Sequence, residues 1–123
     1  MIKMINIKKI AEDFRGKVFV LEKDGKEFSH FMILKAGMSR GGHIHDRQEI
    51  ITVLDGKISY STINAKFKGK ETKGELEAAE QLTVEPGFAH IITAEEDSLV
   101  LGNLENCTTI KYEPYRSIVD AKK

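Results

Sequence analysis

The stretch Gly37-Met-Ser-Arg-Gly-Gly-His43-Ile-His45-Asp-Arg-Gln-Glu49-Ile-Ile-Thr-Val-Leu-Asp-Gly56 decides the reading of this chain. Run as extended backbone from 43 to 54, it puts alternate side chains on one face. His43, His45, Glu49, Ile51 and Val53 then share a side. Gly41-Gly42 permits a close or left-handed entry to that strand, and Asp55-Gly56 predicts a tight hairpin turn after it. Two imidazoles and a carboxylate aimed one way suit a first-row divalent metal. A further ligand must come from elsewhere, and His30 and His90 are the only other histidines. His90 closes Glu85-Pro86-Gly87-Phe88-Ala89-His90, a turn that delivers a histidine to the start of another strand.

The spacing of Gly37, His43, His45, Glu49 and Gly56 resembles the first signature of the cupin superfamily, G-x5-H-x-H-x3-E-x6-G, at every fixed position. The second signature, G-x5-P-x-G-x2-H-x3-N, is matched by Gly87 and His90. Ala79 stands for its first glycine, Glu85 for its proline and Ala94 for its asparagine, with Pro86 displaced by one position. The resemblance spans about residues 29 to 104. It implies an all-β fold, the cupin double-stranded β-helix or jelly-roll barrel, in one domain over residues 1–123. It also implies that His43, His45, Glu49 and His90 bind a divalent transition metal. Fe, Mn, Ni, Co, Cu and Zn all remain open, since ligand type does not choose among them. Three nitrogens and one oxygen leave positions at which substrate can replace water.

Composition narrows the field. A chain of 123 residues, 41% hydrophobic and 31% charged, fits one domain with a real core. Nineteen basic residues balance nineteen acidic ones, so bulk charge suggests neither nucleic acid nor an acidic membrane as partner. The single Cys107 excludes an intrachain disulfide, and the N-terminal residues show no apolar signal core. A cytoplasmic protein that meets a small molecule, with no membrane span, is the expectation.

Along the chain, Ile2 to Ile7 alternates as a first strand, and Lys8 to Phe14 reads as one helical turn. Asp24-Gly25 suits a type I′ hairpin between strands at 17–22 and 27–35. Both faces of the second of these strands are largely apolar, and with the family resemblance this leads us to expect a homodimer. A strand follows from Lys57 to Asn64. Residues 65–74, with Lys66, Lys68, Lys70 and Lys73, read as an exposed hairpin tip. A solvated loop accounts for it, and a phosphate-steering lid is the functional alternative. Further short strands are expected at 81–84, 90–93, 98–104 and 108–112, with turns at Pro86-Gly87, Glu95–Asp97 and Glu105-Asn106. Residues 114–123 read as a short helix or a segment that wraps a neighbour. About ten short strands argue for a sandwich or barrel.

Outside the quartet, His30 on an apolar strand face reads as a packed histidine, and Cys107 lacks an activating motif. Tyr60, Thr62, Phe31, Ile33, Phe88 and Ile92 are candidates for the cavity wall. Arg40, in Arg40-Gly41-Gly42-His43, is similar to a segment of deoxysugar-nucleotide epimerases and ketoisomerases of the cupin type. That likeness extends loosely to Phe14-Arg15-Gly16, Glu85-Pro86-Gly87 and Tyr112–Tyr115. It implies His43 as a proton-moving base and Arg40 as a substrate-holding fork, and Tyr60 is a second candidate for proton transfer. Pairing of Arg40 with Asp46 or Glu49 is the structural alternative. Three functional classes stay open: a metal-dependent isomerase or epimerase of a sugar or small oxo-acid, a metal-dependent dioxygenase, and a non-enzymatic sugar- or small-molecule-binding module.

Overall fold

Eleven strands and one helix make up the described residues of the computed structural model, which are 5–67, 69–104 and 107–121. The strands are β1 (Ile5–Asp13), β2 (Gly16–Lys23), β3 (Lys26–Leu34), β4 (Ser39–His45), β5 (Glu49–Asp55), β6 (Lys57–Asn64), β7 (Thr72–Glu77), β8 (Gln81–Val84), β9 (Phe88–Ala94), β10 (Ser98–Asn103) and β11 (Thr109–Lys111). Helix α1 covers Glu113–Ala121. They form two antiparallel sheets, one ordered β1-β2-β3-β10-β5-β8 and the other β11-β4-β9-β6-β7. This is the expected all-β jelly-roll. The residues expected at Ile2 to Met4, at Lys68, at Glu105-Asn106 and at the end of the tail lie outside the described ones.

The facing sides of the sheets bury Leu34, Val53, Ile58, Ile92, Val100 and their neighbours. Alternation explains the membership, since every second residue of β5, β6 and β9 points inward. Strand β9 is buried on both faces, as its long apolar run demands. His90 and Ile92 face the interior, whereas Ala89 and Ile91 pack with Tyr115 and Val119 of α1. The helix thus covers the outer face of the second sheet. Its Tyr115 hydroxyl donates to Glu71 at 2.7 Å, which ties α1 to the segment before β7.

Several local expectations need correction. Residues 8–13 continue β1 rather than forming a helical turn, because each pairs with or flanks β2 around a bulge between Lys9 and Ala11. Asp55-Gly56 is not a hairpin turn. β5 and β6 lie in different sheets, so this dipeptide is a corner. Gly56 sits there with φ +92° against Ser98, whose Oγ accepts the Lys57 amide at 3.0 Å. Strand β7 takes Thr72 to Glu77, so the exposed tip of that hairpin ends earlier than residue 74. Asp24-Gly25 behaves as read, with both φ values positive.

At the free edge of the first sheet β1 exposes Ile5, Ile7 and Ile10. Among the described residues no helix is long and apolar enough to cross a membrane.

Candidate metal centre

Residues 43 to 54 do not form one strand. The chain turns at 46–48, so His43 and His45 belong to β4 in one sheet and Glu49 to β5 in the other. The site is therefore built across the two sheets. Within β4 a bulge at Gly42 resets the alternation: Arg40 pairs with Ile92, and after one extra residue His43 pairs with His90. Arg40 and His43 are three apart and would face opposite ways in a regular strand. The inserted residue brings both inward. Gly41 and Gly42 take φ values of +108° and +79°, which the bulge requires. A side chain at Gly42 would strike Arg116, whose Cδ lies 2.8 Å from the position of such a Cβ.

His45, Glu49 and His90 come together, with one potential ligand atom from each within 4.8 Å of the others. Glu49 Oε1 lies 3.6 Å from His45 Nε2 and 3.3 Å from His90 Nε2. The other oxygen, Oε2, lies 3.4 Å from Nε2 of His30. Gly102 makes that last contact possible, because a Cβ there would sit 2.5 Å from His30 Nε2 and 2.9 Å from Glu49 Oε2. The Nδ1 of His45 is held by the Thr109 hydroxyl at 2.8 Å, with the Cys107 sulfur at 3.7 Å. This fixes the ring so that Nε2 faces the carboxylate.

The electrostatics fit a cation. Glu49 is almost fully buried, and its Oε1 has no hydrogen-bond partner. Burial alone pushes its carboxyl up to about 7. Burial also drives the histidines down, His90 to about 3 and His43 to about 4, the latter with help from the Arg116 cation and His45. His30 and His45 move the same way for the same first cause. Neutral imidazoles with lone pairs to give, beside a buried carboxyl group whose Oε1 has no hydrogen-bond donor, are the chemistry of a metal-ligand set. A positive ion at this point would remove the cost of the buried carboxylate.

These groups line a cavity of about 370 Å³. Its wall carries all four histidines and Glu49, the apolar side chains of Val18, Met32, Ile51 and Ile92, and three arginines, Arg15, Arg40 and Arg116. His43 is in this wall but outside the tight group of three, its ring centroid 6.1 Å from that of His45. Arg40 is also in the wall. It pairs with Asp13 at 3.2 Å, not with Asp46 or Glu49.

Tyr60 is not in the wall. Its ring lies over Gly74 on β7, where the missing side chain makes room for it, so the expected catalytic tyrosine is displaced from the cavity. Phe31 and Ile33 are on the outer face of β3, Phe31 stacked on Phe19 at 4.9 Å. Thr62 and Phe88 do not line the cavity either, which leaves Ile92 as the one of those six that does.

His30, Arg15 and Arg116 were missed as site residues. The parity of β3, with His30 in phase with Met32 and Leu34, is the signal that places His30 inside. Nothing local in the sequence signals that Arg116 reaches the bulge from the helix. A larger depression of about 580 Å³, lined by Phe28, Arg47, Gln48, Ile50, Asn103 and Leu104, gathers no metal-binding group.

No family model matches the sequence, and no curated protein matches it. Solved structures do. The chain resembles the capsular polysaccharide assembling protein CapF from Staphylococcus aureus, with 19% identity and a TM-score of 0.67 over 80% of this chain and 28% of CapF. It also resembles the Drosophila melanogaster CENP-C cupin domain, with 14% identity and a TM-score of 0.65 over 79% of this chain and 74% of that one. A mutant of Bacillus subtilis oxalate decarboxylase OxdC gives 20% identity and a TM-score of 0.72 over 86% of this chain and 30% of that enzyme. The fold is the cupin fold. The chain spans less than a third of CapF and of the decarboxylase, so their activities are not carried over with it.

Proposed function

We propose that this protein is a metal-dependent cupin enzyme, an isomerase or epimerase acting on a sugar or small oxo-acid. The observation that carries the reading is the convergence of His45, Glu49 and His90 on one buried point where the carboxylate oxygen has no donor. His43, the cross-strand neighbour of His90 and part of the same cavity wall, is the fourth donor of the proposed set. A divalent metal held there supplies Lewis acidity toward a carbonyl oxygen. Proton movement beside that carbonyl then needs a neutral base in the cavity. His30 fills this part in place of His43 or Tyr60, since it is the histidine of the cavity wall outside the ligand set, and burial lowers its pKa from the ordinary imidazole value. Arg40 holds the substrate, and the apolar wall excludes water.

Incubation of the metal-loaded protein with reducing sugars and 2-oxo acids in D2O tests this by NMR. Deuterium should enter the carbon next to a carbonyl. His90→Ala should lose both metal and exchange, and His30→Gln should keep metal and lose exchange. Oxygen consumption without exchange would contradict the isomerase reading and favour a dioxygenase. The exposed isoleucines of β1 support a homodimer built on that edge, and elution as a monomer in gel filtration would contradict it.

A further inference from the structure

Three arginines from three distant parts of the chain enter the same cavity wall, and their tethers leave positive charge over. Arg15 stands in the β1–β2 turn, where Asp13 accepts from its Nη2 at 2.7 Å and its Nε at 3.1 Å. The same aspartate accepts from Nη2 of Arg40 at 3.2 Å. Arg116 arrives from α1, packed over Gly42, with Nη1 donating to the Gly41 carbonyl at 3.0 Å and Nη2 to Asp120 at 2.7 Å. Its Nε is buried and has no partner.

The side chains of Arg15, Arg40 and Arg116 are only 13% to 18% exposed, whereas that of Asp120 is 62% exposed and its charge is well screened by water. The three cations outnumber their two aspartates by one. A dication, if held by His45, Glu49 and His90 with Glu49 as the single carboxylate, would add one more. The chain as a whole is neutral, so this excess is local. Guanidinium groups with donors to spare recognise oxyanions in a forked, two-bond geometry that water and neutral hydroxyls do not match.

We infer that Arg40, Arg116 and Arg15 form an oxyanion subsite, and that the ligand of this cavity is a small anion bearing a carboxylate or a phosphate rather than a neutral sugar. The subsite deepens the proposed function, on which it rests only for the metal's share of the charge; the arginines act on the anion with or without the metal. Their positions assign distinct parts. Arg40 is held on one side by Asp13, and Arg116 closes from the helix, so the C-terminal helix takes part in choosing the ligand. The phase shift at Gly42 serves this subsite as well as the histidines, since it turns Arg40 inward and seats Arg116.

Calorimetric titration tests the inference with three probes: pyruvate, inorganic phosphate and uncharged methyl pyruvate. Each is titrated into the protein as purified and after EDTA treatment. At least one anion should bind, and methyl pyruvate should bind at least about tenfold more weakly than pyruvate if the carboxylate is what is read. Tighter binding of pyruvate assigns the subsite to carboxylates, and tighter binding of phosphate assigns it to phosphate esters. Arg40→Gln and Arg116→Gln should each weaken the preferred anion at least about tenfold, with metal content by elemental analysis unchanged. Binding of neither anion, equal binding of methyl pyruvate and both anions, or wild-type affinity in both variants would overturn the subsite. Anion binding that persists in a protein never found to hold metal would sink the metal reading alone.

Discussion

Glu49 and the histidines around it set the chemistry at the scale of single residues. Each is held in the form that costs least when buried: the carboxyl shifted up, the imidazoles shifted down. That gives the metal-free protein a defined response to acid. Below about pH 6.5 the unfolded chain takes up protons at His43 and His90, and the folded chain does not until about 4 and about 3. Their contribution to stability is complete above pH 6.5 and is lost as pH falls through that window. Glu49 opposes this between about 4.5 and 7, as one group against two. Urea midpoints of the EDTA-treated protein should therefore fall from pH 7 to pH 4.5. A midpoint that stays level or rises would show that these histidines are not held neutral.

The elements show what turns a histidine pattern into a site. Between β5 and β6 the chain must leave one sheet for the other, and Gly56 makes that corner. A methyl group there would overlap Ser98 Oγ and sit 2.6 Å from the Asp97 carbonyl oxygen, at a φ that side chains rarely adopt. Gly56→Ala should destabilise the protein by roughly 2 to 4 kcal/mol in denaturant unfolding. A change within 0.5 kcal/mol would show that the corner is not as tight as described. Gly41, Gly42 and three of the four proposed ligands are legible from one stretch of sequence, because spacing and turn chemistry are local. The break at 46–48 is not, since His45 and Glu49 keep the same side under either reading. Nor is β1: its residues 8–13 carry mixed polarity, and only the pairing with β2 makes them a strand. Ala79 holds the position of a signature glycine and adopts φ +72° itself, so the turn survives the substitution.

At the scale of the whole molecule, the two sheets bring the site together and the helix completes it. His30, Glu49 and Gly102 come from the first sheet, and Arg40, His43, His45 and His90 from the second. No window of sequence holds that juxtaposition, so the sequence alone reads His30 as packing and Tyr60 as catalytic. The inward row of β6 does include Tyr60, but the gap left by Gly74 draws its ring toward the sheet edge and away from the histidines. Arg116 lies still further from any local signal, since its position depends on where α1 docks against β4 and β9. The fold itself was readable because alternation and turns repeat along the chain. The contents of the cavity depend on which strands lie side by side. His45, Glu49 and His90, with His43 beside them, are the proposed holders of the cation. Elemental analysis of untagged protein, purified and then exposed in turn to Fe, Mn, Ni, Co, Cu and Zn, decides whether these residues bind it. It should find one divalent metal per chain in the wild type and less than about a tenth of that in His90→Ala. A wild type that retains none of the six, or a variant that retains the metal in full, would contradict it.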